Sequence, residues 1–255
     1  MAHIITIAMP KGGVGKTTTT VNIGCNLAAQ HFRVLLIDLD PQGHTTKSLG
    51  VEPDEMKTTI YDVLHRPKEG IDPALVKLAL GVDLLPANLE LSGAELELAG
   101  VFSRELILKN ALKVSGASDR YDYILIDTPP TLGIFTVNAL TAATSILIPV
   151  QVHFLPWTAI KLLDTIIEII QPINPALAMG GIICTFTDSR NALSLAIEEQ
   201  LRKQYGDLVF KTVVPVNIKL AEAPASGKPI SMYAPKSSGN AAYKQLTEEV
   251  KARYA

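Results

Sequence analysis

A doubly wound, mostly parallel α/β sheet flanked by helices is the fold this sequence predicts, on three observations. Short β-branched apolar runs alternate with stretches of helical length. A glycine-rich loop stands directly after the first run and opens the first helix. Two later runs end in aspartates, where open α/β sheets place their ligand chemistry. The first run is Ile4–Ala8, stopped by Pro10. Thr17–Gln30 then reads as a helix with Val21, Ile23, Leu27 and Ala28 toward a core. Val34–Ile37 is a continuous apolar run, as expected of a strand covered on both faces. Val82–Leu85, Tyr123–Ile126, Ser145–Val150, Gly181–Cys184 and Val209–Val214 read the same way. Between them Ser103–Val114, Ile160–Ile170, Leu193–Gln204 and Ala241–Ala252 have helical pattern. Thr45–Pro73 is irregular with a short helix near Thr59–Leu64, and Ala221–Ser238, with three prolines, reads as a long surface loop. No repeat, low-complexity tract or linker divides the chain, so residues 1–255 are expected to form one domain.

At 47% hydrophobic and 19% charged residues the chain can bury a sizeable core and is not of disordered composition. A formal charge of −2 excludes a generally basic nucleic-acid coat. The N-terminus lacks a basic leader region, and no window offers a membrane-spanning apolar run, so a cytoplasmic protein is expected. Cys25 and Cys184 exclude a disulfide scaffold and are too few for one chain to hold an iron–sulfur cluster. Two reduced thiols, or a cluster shared between subunits, stay open at this point; both cysteines sit in apolar surroundings that favour small buried residues. The five histidines show no ligand spacing. Trp157 either packs at a helix start or lies at a subunit interface. Charge is unevenly spread: Val51–Gly100 holds four basic and ten acidic residues, a local −6, and Leu201–Ala255 nine basic and four acidic, a local +5. Solvated faces account for most such asymmetries; a basic surface touching phosphate is the functional alternative.

The sharpest signal is Pro10-Lys11-Gly12-Gly13-Val14-Gly15-Lys16-Thr17-Thr18. It fits the phosphate-loop pattern at Gly15-Lys16-Thr17, with Pro10 where the first glycine usually stands. Glycines let successive N–H groups point inward as an anion nest, and the helix that follows adds its positive end. Lys16 can then reach phosphate oxygens and the Thr17 hydroxyl can coordinate Mg²⁺. Asp38-Leu39-Asp40-Pro41-Gln42 and Asp127-Thr128-Pro129-Pro130 end two apolar runs. Carboxylates there can hold Mg²⁺ or orient an attacking water.

These three stretches resemble the deviant Walker-A ATPases of the ParA/MinD group. The C-terminal part is similar to the ParA (Soj) partition proteins: Thr185–Arg190, Val213–Pro224 with Glu222-Ala-Pro, Ser226-Gly-Lys-Pro-Ile230, Tyr243 and Glu248-Glu-Val. The resemblance spans essentially the whole chain. It implies a P-loop ATPase using ATP and Mg²⁺, with slow intrinsic turnover, that forms a homodimer on binding ATP. Lys11 would be the signature lysine reaching the partner subunit's phosphates. Gly12, Gly13, Val14, Gly15, Lys16, Thr17 and Thr18 would line the phosphates. Thr17 and Asp127, the latter through water, would serve the metal; Asp40 would position the hydrolytic water at the metal centre. Pro215 and Asn217 would touch adenine. It also implies a ParB-like stimulatory partner, nucleoid association and non-specific DNA binding through Arg190 and Lys219, with Lys203, Lys211 and Lys236 adding to the patch. Family members commonly carry Arg where this chain has Val216, which would cost one phosphate contact per subunit. The alternatives are a MinD-like membrane-cycling ATPase, for which the tail Gln245–Ala255 is a poor amphipathic helix, and a regulatory ATP switch acting on a protein partner. Nitrogenase iron-protein relatives share the loop, but the positions of Cys25 and Cys184 do not match theirs.

Overall fold

The computed structural model describes residues 1–152 and 157–254. Among these residues eight strands form one sheet: β1 (His3–Ile7), β2 (Val34–Asp38), β3 (Val76–Lys77), β4 (Val82–Leu85), β5 (Tyr123–Asp127), β6 (Ser145–Gln151), β7 (Ala178–Thr187) and β8 (Val214–Pro215). Their order is β3-β4-β2-β5-β1-β6-β7-β8, all parallel except the short antiparallel β3 at one edge. The helices are α1 (Lys16–Ala28), α2 (His44–Ser48), α3 (Ile60–His65), α4 (Leu91–Glu97), α5 (Ile107–Val114), α6 (Ala117–Arg120), α7 (Ile134–Ala142), α8 (Trp157–Ile170), α9 (Ala192–Tyr205), α10 (Ile218–Glu222), α11 (Ile230–Tyr233) and α12 (Ser238–Tyr254).

Every residue of β2 and β5 is buried, because helices cover both faces of the sheet. One core packs Val21, Ile23 and Leu27 of α1 with Tyr243, Leu246 and Val250 of α12. The other packs Ile60, Leu91, Leu108, Leu140, Leu163 and Ile197, from α3, α4, α5, α7, α8 and α9. Helix α1 lies close on the sheet at Gly24, where any side chain would run into Leu36. Register sets the site. Ile7, Asp127 and Asp38 sit side by side across β1, β5 and β2, so the loops that follow all leave the same sheet end.

The observed elements correct several sequence expectations. Helix α7 was not expected; Phe135, Thr136, Asn138, Ala139, Leu140, Thr141 and Ala142 are all buried, which removes the one-sided pattern that reveals a helix. Helix α4 and strand β3 were also missed. Val209–Val214 is not a strand: Val209 makes one bridge to Ile182, and the Glu249 carboxylate takes the N–H groups of Lys211 and Thr212, both at 2.8 Å, drawing the chain off the sheet until Val214. Ala221–Ser238 is no surface loop either. It coils through helical turns anchored by buried Ala223 and Ile230, and Ile230 N donates to Asn22 Oδ1 of α1 at 2.8 Å. Trp157 begins α8 and packs partly buried on the core. His153 and Phe154 lie outside the described residues.

Candidate functional site: a nucleotide and metal centre

The loop between β1 and α1 is shaped by its glycines. Gly13 and Gly15 adopt positive φ, 72° and 92°, a conformation other L-residues reach only with strain. Gly15 precedes α1 without any side-chain cap, so the N–H groups of the first turn stay open for an anion. The Lys16 ammonium folds back onto the loop, donating to Met9 O at 3.2 Å and Lys11 O at 2.9 Å. Burial lowers its pKa, opposed by the charges of Asp127 and Asp40. A cation held on carbonyls at the mouth of an anion nest is set to exchange those carbonyls for phosphate oxygens.

Asp127 is the hub opposite. It is fully buried, and its Oδ2 accepts from Thr17 Oγ1 at 2.6 Å and Thr45 Oγ1 at 2.8 Å. Its other oxygen, Oδ1, is buried without a hydrogen-bond partner among the described residues. A buried carboxylate oxygen without a donor is costly, and burial pushes the Asp127 carboxyl well above the usual range. A hard divalent cation takes oxygen ligands, so Thr17, Asp127 and Thr45 form a donor set that fits Mg²⁺.

The adjacent strand tip divides its two aspartates by task. Asp38, fully buried, accepts from Thr46 N at 2.9 Å, Thr46 Oγ1 at 2.8 Å and Asp40 N at 3.1 Å. Burial and the neighbouring Asp127 raise its carboxyl despite those bonds. Thr46 Oγ1 in turn accepts from Ala87 N at 3.0 Å, tying the 38–46 loop to the chain after β4. Asp38 is therefore the clasp of this loop. Asp40, also buried, turns to His44, whose Nδ1 lies 3.3 Å from Oδ2, and accepts from Gln42 N at 2.9 Å. Burial pushes its carboxyl up, but His44 and Gln42 N outweigh that and it ends below the ordinary value; the same contact raises His44.

Beside the loop runs a cleft lined by Gly15, Thr18, Thr185, Phe186, Val214, Pro215, Asn217, Leu220, Ala221 and Tyr243. Pro215 and Asn217, both expected here from the sequence, thus share one wall with Thr18. Asn217 is also structural: its Oδ1 caps α10 through Lys219 N and Leu220 N, and its amide donates to Ser238 Oγ at 2.9 Å. Phe186 was missed. It holds positive φ, 53°, uncommon for a bulky residue, and packs near Gly15, while Thr185 Oγ1 donates to Val14 O at 2.9 Å. Thr45 and Thr46 were missed too, and Asp38, read as one of the strand-end carboxylates, is here the clasp of its loop. The signal of the threonines was a pair after an acidic strand end, which gains meaning only from the sheet register.

The basic residues do not converge equally. Arg190 and Lys211 line one groove with Val216. Arg190 is paired with Asp188 at 3.0 Å, and Lys219 with Glu222 at 2.8 Å beside the Tyr233 ring. Lys203 is exposed on α9, and Lys236 is exposed ahead of α12. The cysteines are free and buried, and burial pushes both thiols up to about 12, far from the thiolate that metal clusters require.

Residues 2–179 match the family model described as AAA domain. Sporulation initiation inhibitor protein Soj of Bacillus subtilis (strain 168) is 43% identical over 253 residues, covering 99% of both chains. The chain belongs to the ParA/Soj family of P-loop ATPases. Chromosome partitioning protein ParA of Caulobacter vibrioides (strain NA1000 / CB15N) is 41% identical over 252 residues, 98% of this chain and 94% of that one. Among solved structures, cobyrinic acid a,c-diamide synthase from Mycobacterium smegmatis, with bound ATP analog and magnesium, superposes with a TM-score of 0.86 at 34% identity, covering 100% of this chain and 96% of that one. ATP with Mg²⁺ is accordingly the pair that a ParA/Soj member takes at such a loop. No helix among the described residues is long and apolar enough to cross a membrane.

Proposed function

We propose that this ParA/Soj-family ATPase, acting as a single domain over residues 1–255, dimerises on binding ATP·Mg²⁺ and positions DNA or another cargo. Its hydrolysis is slow until a ParB-like partner accelerates it. The observation that carries the reading is the hub at Asp127: a buried oxygen without a partner, a threonine hydroxyl at 2.6 Å, and the Lys16 ammonium parked on carbonyls beside it. In this reading Lys16 and the loop N–H groups hold the β- and γ-phosphates, with Thr18 near the α-phosphate and Thr17 and Asp127 serving the metal. Asp40, whose charge acts on Lys16 together with that of Asp127, orients water. Lys11 reaches across to the partner subunit's nucleotide, adding positive charge where it shifts during phosphoryl transfer. Pro215 and Phe186 flank the base.

In the ATP dimer the groove holding Arg190 and Lys211 forms the DNA face and associates the protein with the nucleoid. Lys219, Lys203 and Lys236 add charge around it. A second reading, a switch acting on a protein partner without DNA, is favoured by exposed Val216 and Ile218 on that face and by the ion pairs that hold Arg190 and Lys219. Leu246, Thr247 and Val250 of α12 are buried in the fold, so this helix spends its apolar residues on the core.

The test is binding of Asp40→Ala protein to random-sequence duplex DNA with ATP·Mg²⁺ and with ADP, across a salt series. Binding only with ATP, with a salt slope of about 0.9 per phosphate contact, supports the partition reading. A dimer that forms with ATP yet ignores DNA in both states would move the function to the protein-partner switch.

A further inference from the structure

The segment 89–102 leaves four large apolar side chains in solvent: Leu89 is 60% exposed, Leu96 83%, Val101 43% and Phe102 95%. Single exposed apolar residues are ordinary on any surface; four in one short segment mark a place where something binds. Helix α4 spends Leu91 and Ala94 on the core. Backbone bonds from Ser92 N to Leu89 O and from Gly93 N to Glu90 O, both 3.0 Å, continue its turn backward. Leu89 and Leu96, seven apart, therefore share a face. Val101 and Phe102 follow, ahead of Ser103 at positive φ.

The surroundings are acidic. Glu90, Glu95 and Glu97 are exposed on the same short element, within the stretch 51–100 whose local charge is −6. The nearest cation in sequence, Arg104, is turned back onto the Ala99 carbonyl. Glu97 is held by His65 Nε2 at 2.7 Å and by the Tyr61 hydroxyl at 3.0 Å, which leaves Glu90 and Glu95 as the acidic groups without a cationic contact among the described residues. This face also touches the nucleotide loops. The Glu95 carboxylate fills the space beside Gly133, in the segment that follows Asp127. Ala87, two residues before Leu89, donates to the Thr46 hydroxyl that Asp38 holds.

We propose that this face docks a basic partner segment carrying apolar side chains, and that seating it acts on the loops after Asp40 and Asp127. The inference rests on the partner-stimulated ATPase reading and names where and by what chemistry the partner grips. Charge selects the occupant. A second copy meeting this face symmetrically would set glutamate against glutamate, and DNA or an anionic lipid surface would be repelled. A cationic peptide gains electrostatic steering from the glutamates and buries its apolar residues on Leu89, Leu96 and Phe102.

The probe is a fluorescent amphipathic Leu/Lys peptide of about five helical turns, with a counterpart in which every Lys is Glu. Binding to the full chain with ATP·Mg²⁺ is followed by anisotropy across salt, and ATP turnover is measured in parallel. The Lys peptide is expected to bind more weakly as salt rises and to raise turnover, while the Glu peptide does neither. In Leu96→Ser/Phe102→Ser, affinity falls at least about tenfold with basal turnover unchanged. Equal affinity of wild type and double variant, or no binding of the Lys peptide by wild type, overturns the docking site. Wild type that hydrolyses ATP but ignores the peptide fails only this inference. Wild type without ATP hydrolysis fails the ATPase reading beneath it.

Discussion

Thr46→Val is a nearly isosteric change at the clasp of the 38–46 loop. The hydroxyl donates to Asp38 at 2.8 Å and accepts from Ala87 N at 3.0 Å, and the residue is fully buried. Valine removes both bonds without opening a cavity. Asp38 keeps two donors, Thr46 N and Asp40 N, so its loss is one bond to a carboxyl, about 1 kcal/mol or somewhat more. The Ala87 N–H is left buried and unpaired, which costs about 1–3 kcal/mol. Together these come to about 2–4 kcal/mol, against a total stability of about 5–15 kcal/mol. For a domain of this size each kcal/mol moves the melting temperature about 2–4 °C, so a fall of about 5–15 °C is expected. Thermal unfolding by far-UV circular dichroism without nucleotide measures it, with Thr46→Ser, which keeps the hydroxyl, as the control. ATP turnover should drop in the valine variant, because the same loop carries Asp40. A valine variant that melts with the wild type would refute the clasp.

Other expectations follow from the same geometry. Lys16→Ala should lose ATP binding in equilibrium titration, whereas Lys11→Ala should keep nucleotide binding and lose the ATP-induced dimer in gel filtration; an unchanged dimer would sink the role of Lys11 in trans. Tyr243→Phe removes the 3.1 Å contact between Tyr243 and Thr19 that joins α12 to α1, and should cost about 1–2 kcal/mol in denaturant unfolding. The pH dependence has a definite sign. The buried Asp38 and Asp127 carboxyls are raised above their unfolded values, so the folded state holds protons more tightly, and their contribution is lost as pH rises through the folded values. His44, also raised, loses its contribution in the same direction, while that of the lowered Asp40 is already complete. Without nucleotide, stability should therefore fall from about pH 5 to about pH 8, and ATP·Mg²⁺ should flatten the fall. Denaturant curves that strengthen steadily over that range would contradict the assignment.

What could be read from the sequence is what local chain chemistry dictates. The β1–loop–α1 unit is contiguous, and its glycines, lysine and threonines make their geometry with near neighbours. Apolar runs gave β2, β5 and β6 nearly to the residue, because parallel strands buried on both faces need no polar alternation, and β4 was legible despite its half-buried Asp83. Aspartates ending two such runs pointed to the correct sheet end. Helix α7 stayed hidden because burial on all sides erases the helical pattern, and Val209–Val214 misled because Glu249, far along the chain, captures its backbone.

The division of labour between Asp38 and Asp40 belongs to the tertiary structure alone. Both stand in one short motif and both are buried, yet the register of β2 against β5 sets Asp38 beside Asp127, where Thr46 clasps it, while Asp40 lies past the strand end and turns to His44. The same holds for Phe186, brought to the phosphate loop by β7. It holds for the acidic apolar face of α4, set against the segment after Asp127. Sequence fixes which groups a residue offers; the sheet, by joining strands distant in the chain, decides which of those groups meet.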